Sequence, residues 1–173
     1  MSIEICTISP DDWPLWRSLR LRALTENPAA FGSRLEDWRA ASEARWRERL
    51  GKSGSANFVA RSGGAAVGMA SGVPADAIEV AELVSMWVAP EARGRGVGDA
   101  LVSSVVRWAR SRGARELRLD VTAANSRAVA LYARHGFVDR GAASETGERA
   151  MVKALGPARD SAADASEPVS RGS

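Results

Sequence analysis

At 173 residues, with 45% hydrophobic and 26% charged residues, the chain has the size and composition of one globular domain. The formal net charge is only +3 and the arginines are dispersed among acids, which argues against a nucleic-acid-binding surface. No run of about 18 apolar residues occurs, so the sequence excludes a membrane-spanning helix.

Two helices are predicted in the first third of the chain. Ser9-Pro10-Asp11-Asp12 indicates a helix start, since Ser is a good cap, Pro suits the first turn and acids complement the positive end of the helix dipole. Asn27-Pro28 ends this helix. Ser33 and Glu36 have the spacing of a capping box, which predicts a second helix running to about Leu50.

Strand-like runs and two further helices fill the rest of the chain, and Gly113 and Gly136 end those two helices. The predicted strands are Ile3–Ile8, Asn57–Arg61, Ala65–Ser71, Glu79–Val88, Glu116–Val121, Phe137–Val138 and Arg149–Ala154, and the helices begin near Asp99 and Ser126. The order βααβββαβαββ predicts an α/β fold, a mixed sheet flanked by helices. We expect one domain over residues 1–155 and a disordered tail over 156–173, which is poor in apolar residues.

The glycine-punctuated segment Arg93-Gly94-Arg95-Gly96-Val97-Gly98 lies between the fourth strand and the following helix. N–H groups at a helix start have no helical acceptor, and glycines let an anion approach them, so this segment predicts a phosphate site. No Lys-Ser or Lys-Thr pair follows, which excludes a P-loop, and G-x-G-x-G differs from the dinucleotide fingerprint G-x-G-x-x-G. A structural turn is the alternative reading.

Two segments together resemble the Gcn5-related N-acetyltransferase (GNAT) superfamily. The pattern R-x-x-G-x-G from Arg93 to Gly98 resembles its pyrophosphate-binding loop. The pattern N-x-x-A-x-x-L-Y from Asn125 to Tyr132, followed by Gly-Phe, resembles its second acetyl-coenzyme A segment. The resemblance covers roughly Glu79–Arg140, and the order of elements matches the superfamily's fold.

The resemblance implies that acetyl-CoA donates an acetyl group directly to a primary amine, with no metal and no covalent enzyme intermediate. It assigns Tyr132 as the general acid that protonates the leaving thiolate, with a core aromatic as the alternative reading. Asn125 is either a coenzyme contact or a helix cap. The expected cofactor-binding residues are Met86, Trp87, Val88, Arg93, Gly94, Arg95, Gly96, Val97, Gly98, Asn125 and Tyr132.

Glu82 is the leading candidate for the general base, because it matches the carboxylate position used by histone-modifying members of the superfamily. Regular alternation would put Glu82, Val84, Met86 and Val88 on one face of the strand unless a bulge intervenes. A solvent-facing or ion-paired glutamate is the alternative. Two other acids, Glu79 and Asp120, and a water relay are also open.

Several other residues have structural explanations. Glu36 fits the capping box, and the single histidine, His135, precedes a helix-ending glycine, where it favours the dipole. It has no partner motif for a metal site or a triad. The tryptophans of the first two helices, Trp13, Trp16, Trp38 and Trp46, are expected to pack in the core, with one or two free to line the acceptor cleft.

The main rival is a regulatory protein that binds acyl-CoA without turnover; a purely structural loop is opposed by the paired motifs. The N-terminus lacks signal-peptide features, and the single cysteine, Cys6, cannot form an internal disulfide, so we expect a cytoplasmic protein. Heavy use of Ala, Arg and Gly favours a bacterial source. We expect a small-molecule or protein amine as partner, and leave the acceptor, the acyl length and a homodimer open.

Overall fold

A computed structural model describes residues 2–27, 35–142 and 147–156. Its seven strands form one sheet in the order β1-β2-β3-β4-β5-β7-β6, in which β4 and β5 are parallel and the other neighbours antiparallel. The strands are β1 (Ile3–Ile8), β2 (Ala56–Ser62), β3 (Ala65–Pro74), β4 (Val80–Val88), β5 (Glu116–Thr122), β6 (Val138–Ala142) and β7 (Glu148–Ala154). The predicted mixed α/β sheet is confirmed.

The described helices are α1 (Trp13–Glu26), α2 (Leu35–Arg39), α3 (Glu43–Leu50), α4 (Val97–Ser111) and α5 (Ser126–Arg134). The prediction of one helix from Ser33 to Leu50 is wrong, because a break separates α2 from α3. Ser42 caps α3 by accepting a hydrogen bond from the Arg45 N–H at 3.2 Å, so a local cap starts a new helix there. Ser33 and the tail beyond residue 156 lie outside the described residues.

The sheet has two covered faces. A Cβ on Gly72 of β3 would lie 2.3 Å from the Trp108 ring, so glycine is required there for α4 to pack closely. We call this side the α4 face. Ser71 alternates with Gly72 and accepts a hydrogen bond from Arg49 of α3, which marks the opposite side; we call it the α3 face.

The predicted packing of the tryptophans is confirmed for the two that are most deeply buried. Trp16 of α1 is 1% exposed and Trp46 of α3 is 0% exposed. The rings of Trp38 and Trp46 are in tilted contact, with their centroids 4.7 Å apart. Trp13 is partly buried and packs against the same core. Within the described residues, none of the helices has the length and apolar character needed to cross a membrane.

Candidate active site

The sheet opens between β4 and β5. The two strands pair only from Val80 to Glu82 and from Glu116 to Arg118, although β4 continues to Val88 and β5 to Thr122. Beyond this point the strands diverge, and their facing backbone groups border a groove of about 840 Å³. The loop after β4 and the start of α5 complete its walls.

A β-bulge in β4 lies at the centre of the groove. Register with β3 shifts between Val84 and Trp87, and Ser85 has a φ of 55°, in the left-handed region that non-glycine residues seldom adopt. The bulge reverses the alternation of side chains, so the exception stated for this strand applies and the four side chains do not share one face. Val88 pairs with Gly68, where a Cβ would meet Val97 and Leu101 of α4, and so it lies on the α4 face.

Glu82 and Val84 lie on the α3 face, because they alternate with Leu83, the cross-strand partner of Gly72 on the α4 face. The Met86 side chain lies on the α4 side, with its methyl group 3.6 Å from where a Cβ on Gly98 would stand. The bulge therefore puts the Glu82 carboxylate and the Met86 side chain on opposite faces of the sheet, although both residues belong to β4.

The glycine loop ends in a helix start with free donors. Gly94 and Gly96 have φ values of 76° and 86°, and Gly96 is the N-cap of α4. The first α-helical hydrogen bond runs from the Ala100 N–H to the Gly96 carbonyl at 3.0 Å, so the N–H groups of residues 97–99 have no acceptor within the helix. These donors and the dipole form a suitable site for a phosphate group.

Gly98 also allows two helices to approach each other. A Cβ at this position would lie 3.0 Å from a methyl group of Leu131 in α5. Its lack of a side chain thus positions α5, which carries Tyr132, against the start of α4. The glycine pattern serves packing as well as access of an anion.

Only one of the two loop arginines, Arg93, lines the groove. The Arg93 guanidinium bonds to the Glu26 carboxylate at 2.5 Å and to the Val88 carbonyl at 3.1 Å. Arg95 is exposed and is not part of the groove wall. Their contacts with phosphate stay predictions, and the N–H groups of the loop are the better-placed donors.

Tyr132 and Asn125 both line the groove from α5. The Tyr132 side chain is 5% exposed, and its ring meets the Phe137 ring edge-on at 5.7 Å between centroids. Burial raises the pKa of the Tyr132 hydroxyl above its ordinary value, so the group stays protonated. Asn125 caps α5, because its side-chain oxygen accepts the Ala128 N–H at 3.2 Å.

Three carboxylates were candidates for the base. Asp120 of β5 lines the groove, whereas Glu82 and Glu79 do not. Glu79 makes an exposed ion pair with Arg115 at 3.7 Å. Glu82 pairs in register with Arg118, and alternation along β5 puts Asp120 on the same α3 face. The base role of Glu82 stays a prediction, and Asp120 has the more direct access.

Comparison with known proteins agrees with this geometry. A family model described as "Acetyltransferase (GNAT) family" matches residues 13–137. The chain belongs to the GNAT acetyltransferase family. It is 32% identical over 142 residues to a mycothiol acetyltransferase from Thermobispora bispora, covering 78% of this chain and 46% of that enzyme. The chain thus spans less than half the length of this curated relative.

Solved GNAT structures share the fold. A phosphinothricin acetyltransferase from Sinorhizobium meliloti, in complex with acetyl-CoA, has a TM-score of 0.75 at 23% identity and covers 90% of each chain. The PaiA N-acetyltransferase from Thermoplasma acidophilum, in complex with coenzyme A, has a TM-score of 0.71 at 21% identity, covering 89% of this chain and 99% of its own.

The groove of this GNAT protein contains polar groups that the sequence analysis missed. Glu26, at the end of α1, accepts the Trp87 indole N–H at 2.8 Å as well as bonding to Arg93. Sequence spacing carries no signal for a contact between residues 61 positions apart.

A second missed cluster surrounds the start of α4. The Asp99 carboxylate lies 2.9 Å from His135 Nε2 and 3.1 Å from Arg134, and these bonds lower its pKa, His135 contributing most. His135 thus has an acidic partner, a contact beyond the expected favourable position at the helix end. The described part of the chain holds no group of three or more His, Cys, Asp or Glu residues arranged for a metal ion.

Proposed function

We propose that this GNAT protein transfers an acetyl group from acetyl-CoA to a primary amine by direct attack within a ternary complex. The observation that carries the proposal is the groove itself. It brings the free N–H groups of α4, the bulged backbone of β4 and the buried Tyr132 to one cavity. Acetyl-CoA supplies a thioester, whose carbonyl carbon the amine attacks.

The donor enters on the α4 face. The N–H groups at the start of α4 hold its diphosphate, as the helix dipole and the glycine loop allow. The backbone of β4 around Met86, Trp87 and Val88 borders the gap between the strands and offers N–H groups for the pantetheine arm and the carbonyl oxygen. A fixed N–H aimed at developing negative charge stabilises the transition state.

Tyr132 completes the donor side. Its hydroxyl proton goes to the departing sulfur atom of coenzyme A, which neutralises the thiolate as the C–S bond breaks. The raised pKa keeps that proton available across the physiological range. The packing of Tyr132 against Phe137 holds the ring in one orientation in the groove wall.

The amine approaches from the α3 face, since the donor occupies the opposite side of the gap. Asp120 lies on this face in the groove wall and accepts the proton of the incoming ammonium. Glu82 lies on the same face at the point where the strands part, and it can act through a water molecule. A regulatory acyl-CoA sensor remains the second candidate, because the donor side alone would serve it.

Two measurements test the proposal. Calorimetry with acetyl-CoA measures donor binding, and thiol release with a panel of amines measures transfer. We expect micromolar or tighter binding, and thiol release that depends on both substrates. Absence of binding would refute the proposal entirely, whereas binding without thiol release for every amine would favour the sensor. The proposed single-step transfer also predicts no acetylated enzyme when acetyl-CoA is present alone, as mass spectrometry would detect.

A further inference from the structure

The α3 face beside the groove holds a half-buried arginine whose described hydrogen-bond partners are neutral. The Arg49 guanidinium donates to the Asn57 side-chain oxygen at 3.0 Å, to the Ser71 hydroxyl at 3.1 Å and to the Ser85 hydroxyl at 3.2 Å. It also lies over the Trp16 ring, 5.5 Å from its centroid. Among the described residues, no carboxylate pairs with Arg49.

This position is unusual for an arginine. Burial lowers the pKa of the Arg49 guanidinium, because it removes water from the charged group. Arg20 of α1, 8% exposed, adds a second positive charge nearby, and its pKa is lowered to about 10 by burial and by the charge of Arg49. Buried charges are ordinarily paired, so a charge held only by neutral oxygens calls for an anion.

Arg49 is not itself part of the groove wall, but it contacts a residue that is. Its third partner, Ser85, is the left-handed residue of β4 and lines the groove. The three hydrogen bonds use three of the five guanidinium N–H groups, and Arg49 is partly exposed. The strained turn at Ser85 thus turns a hydroxyl toward Arg49 at the point where β4 borders the cavity.

Charge along the α3 face is arranged with opposite signs at its two ends. The hydrogen-bond partners of Arg49 lie on β2, β3 and β4, whereas Asp120 lies on β5, across the gap between the strands. Another carboxylate in the groove wall, that of Glu26, is already bonded to Arg93 and Trp87. A ligand on this face meets the Arg49 guanidinium, whose described hydrogen-bond partners are neutral, on one side and the Asp120 carboxylate on the other.

We propose that the acceptor is an amine that also carries a carboxylate, as in an amino acid or a short peptide, with its anionic group bound at Arg49 and Ser85 and its amine directed toward Asp120. This inference rests on the proposed acetyl transfer and adds its substrate class. Arg49 is then a residue that determines specificity. A cationic polyamine would meet repulsion at this position.

Matched acceptors test the inference. Amino acids with α-, β- and γ-spaced amines are each compared with their carboxamides, which differ only in lacking the negative charge. We expect kcat/KM for the best acid to exceed that of its amide by at least about tenfold, the ratio that 1.4 kcal/mol provides. The amine of the amide is less basic, so a larger fraction of it is unprotonated and reactive at neutral pH. A preference for the acid would therefore oppose the intrinsic reactivity of the two amines.

Substitution of Arg49 provides the second arm. In Arg49→Met the advantage of the acid over the amide should disappear, because kcat/KM for the acid falls by at least about tenfold more than kcat/KM for the amide. Arg49→Lys retains the charge and should retain part of the preference. Arg47→Gln is the matched control, because Arg47 lies on the same helix but is bonded to Asp11 and Glu43 at the surface.

The outcomes separate the two proposals. Equal kcat/KM for acids and amides would overturn the inference and leave acetyl transfer intact. Equal losses for both in Arg49→Met would also overturn it, since a structural role affects every acceptor. If no amine reacts, calorimetry measures binding of the acids and amides to the protein in complex with coenzyme A. Acids that bind no tighter than their amides would then refute the inference about the acceptor. Failure of acetyl-CoA itself to bind would refute the proposed function. If Arg49→Met does not fold, the unchanged protein and Arg49→Lys carry the test.

Discussion

The two sides of the groove differ in what they are made of. The proposed donor side, formed by β4, the glycine loop and the start of α4, offers mostly backbone N–H groups whose positions follow from local turns and caps. The proposed acceptor side, on the α3 face, consists of side chains from α3, β2, β3, β4 and β5, such as Arg49, Ser71 and Asp120. A common donor suits a backbone site, whereas side chains can vary with the acceptor.

The largest effect is expected where the donor side uses a side chain. Tyr132→Phe removes the proton that neutralises the thiolate, and kcat should fall by about 10²- to 10⁴-fold, the usual range for general acid catalysis. The Kd for acetyl-CoA should change less than about twofold, because the ring and its contact with Phe137 remain. Thiol-release kinetics and calorimetry measure the two quantities. Unchanged kcat would show that Tyr132 is only a packing residue.

The raised pKa of Tyr132 predicts a specific dependence on pH. Because the folded pKa lies above the ordinary value of 10.0, the burial of neutral Tyr132 contributes its full stability below pH 10 and loses it as pH rises beyond that value. Activity should therefore show no decline from ionisation of Tyr132 below about pH 10. Denaturant unfolding at pH 8 and above pH 10 should reveal a smaller loss of stability in Tyr132→Phe than in the unchanged protein. A steeper loss in the variant would contradict the buried neutral form.

On the acceptor side, two carboxylates compete for one role. Asp120→Asn should lower kcat/KM by about 10²-fold, the lower end of general base catalysis, and Glu82→Gln by less, since only Asp120 lines the groove. The loss should shrink as pH rises through the pKa of the amine, because free amine needs no base. The pH profiles of both variants and the unchanged protein are compared. A larger loss of kcat/KM in Glu82→Gln than in Asp120→Asn at every pH would identify Glu82 as the general base.

The donor side was the more predictable of the two. The glycine loop, the Asn125 cap and the ends of α5 follow from local rules, since α5 begins at Ser126 as predicted and ends at Arg134, shortly before Gly136. The bulge at Ser85 was not predictable, because it arises from pairing with β3 and from the parting of β4 and β5. Alternation along β4 alone therefore put Glu82 and Met86 on one face.

Besides the bulge, the long-range side-chain contacts could not be predicted from the sequence. Arg49 meets Ser85 across 36 positions, and its neutral partners lie on three strands. The break between α2 and α3, where Ser42 starts a new helix, was readable in principle, since Ser42 followed by Glu43 is an N-terminal pattern. The longer capping-box pattern from Ser33 led to the single-helix prediction instead.

A moderate effect is expected from the backbone of the loop. Gly96→Ala forces a side chain into the left-handed region at a cost of about 1–2 kcal/mol, and relief of that strain displaces the first N–H groups of α4. The Kd for acetyl-CoA should rise by about tenfold. Gly113→Ala is the matched control, since its φ of 77° carries the same strain outside the groove. Calorimetry and denaturant unfolding of both variants are compared; an equal loss of affinity would mean that stability alone is responsible.

The smallest effect is expected at Arg93, and it tests whether the donor side depends on backbone groups rather than on loop side chains. Because its guanidinium is bonded to Glu26 and to the Val88 carbonyl, Arg93→Gln should raise the Kd for acetyl-CoA by less than about threefold, well below the factor of ten that 1.4 kcal/mol represents. Glu26→Gln should give a similar small change, since it weakens the same ion pair. Calorimetry with acetyl-CoA and with an acetylated pantetheine that lacks the diphosphate shows whether any loss of affinity comes from contacts with the diphosphate or with the pantetheine arm. A tenfold loss confined to acetyl-CoA would mean that Arg93 leaves Glu26 to bind the diphosphate, and the donor side would then recognise its ligand with side chains as the acceptor side does.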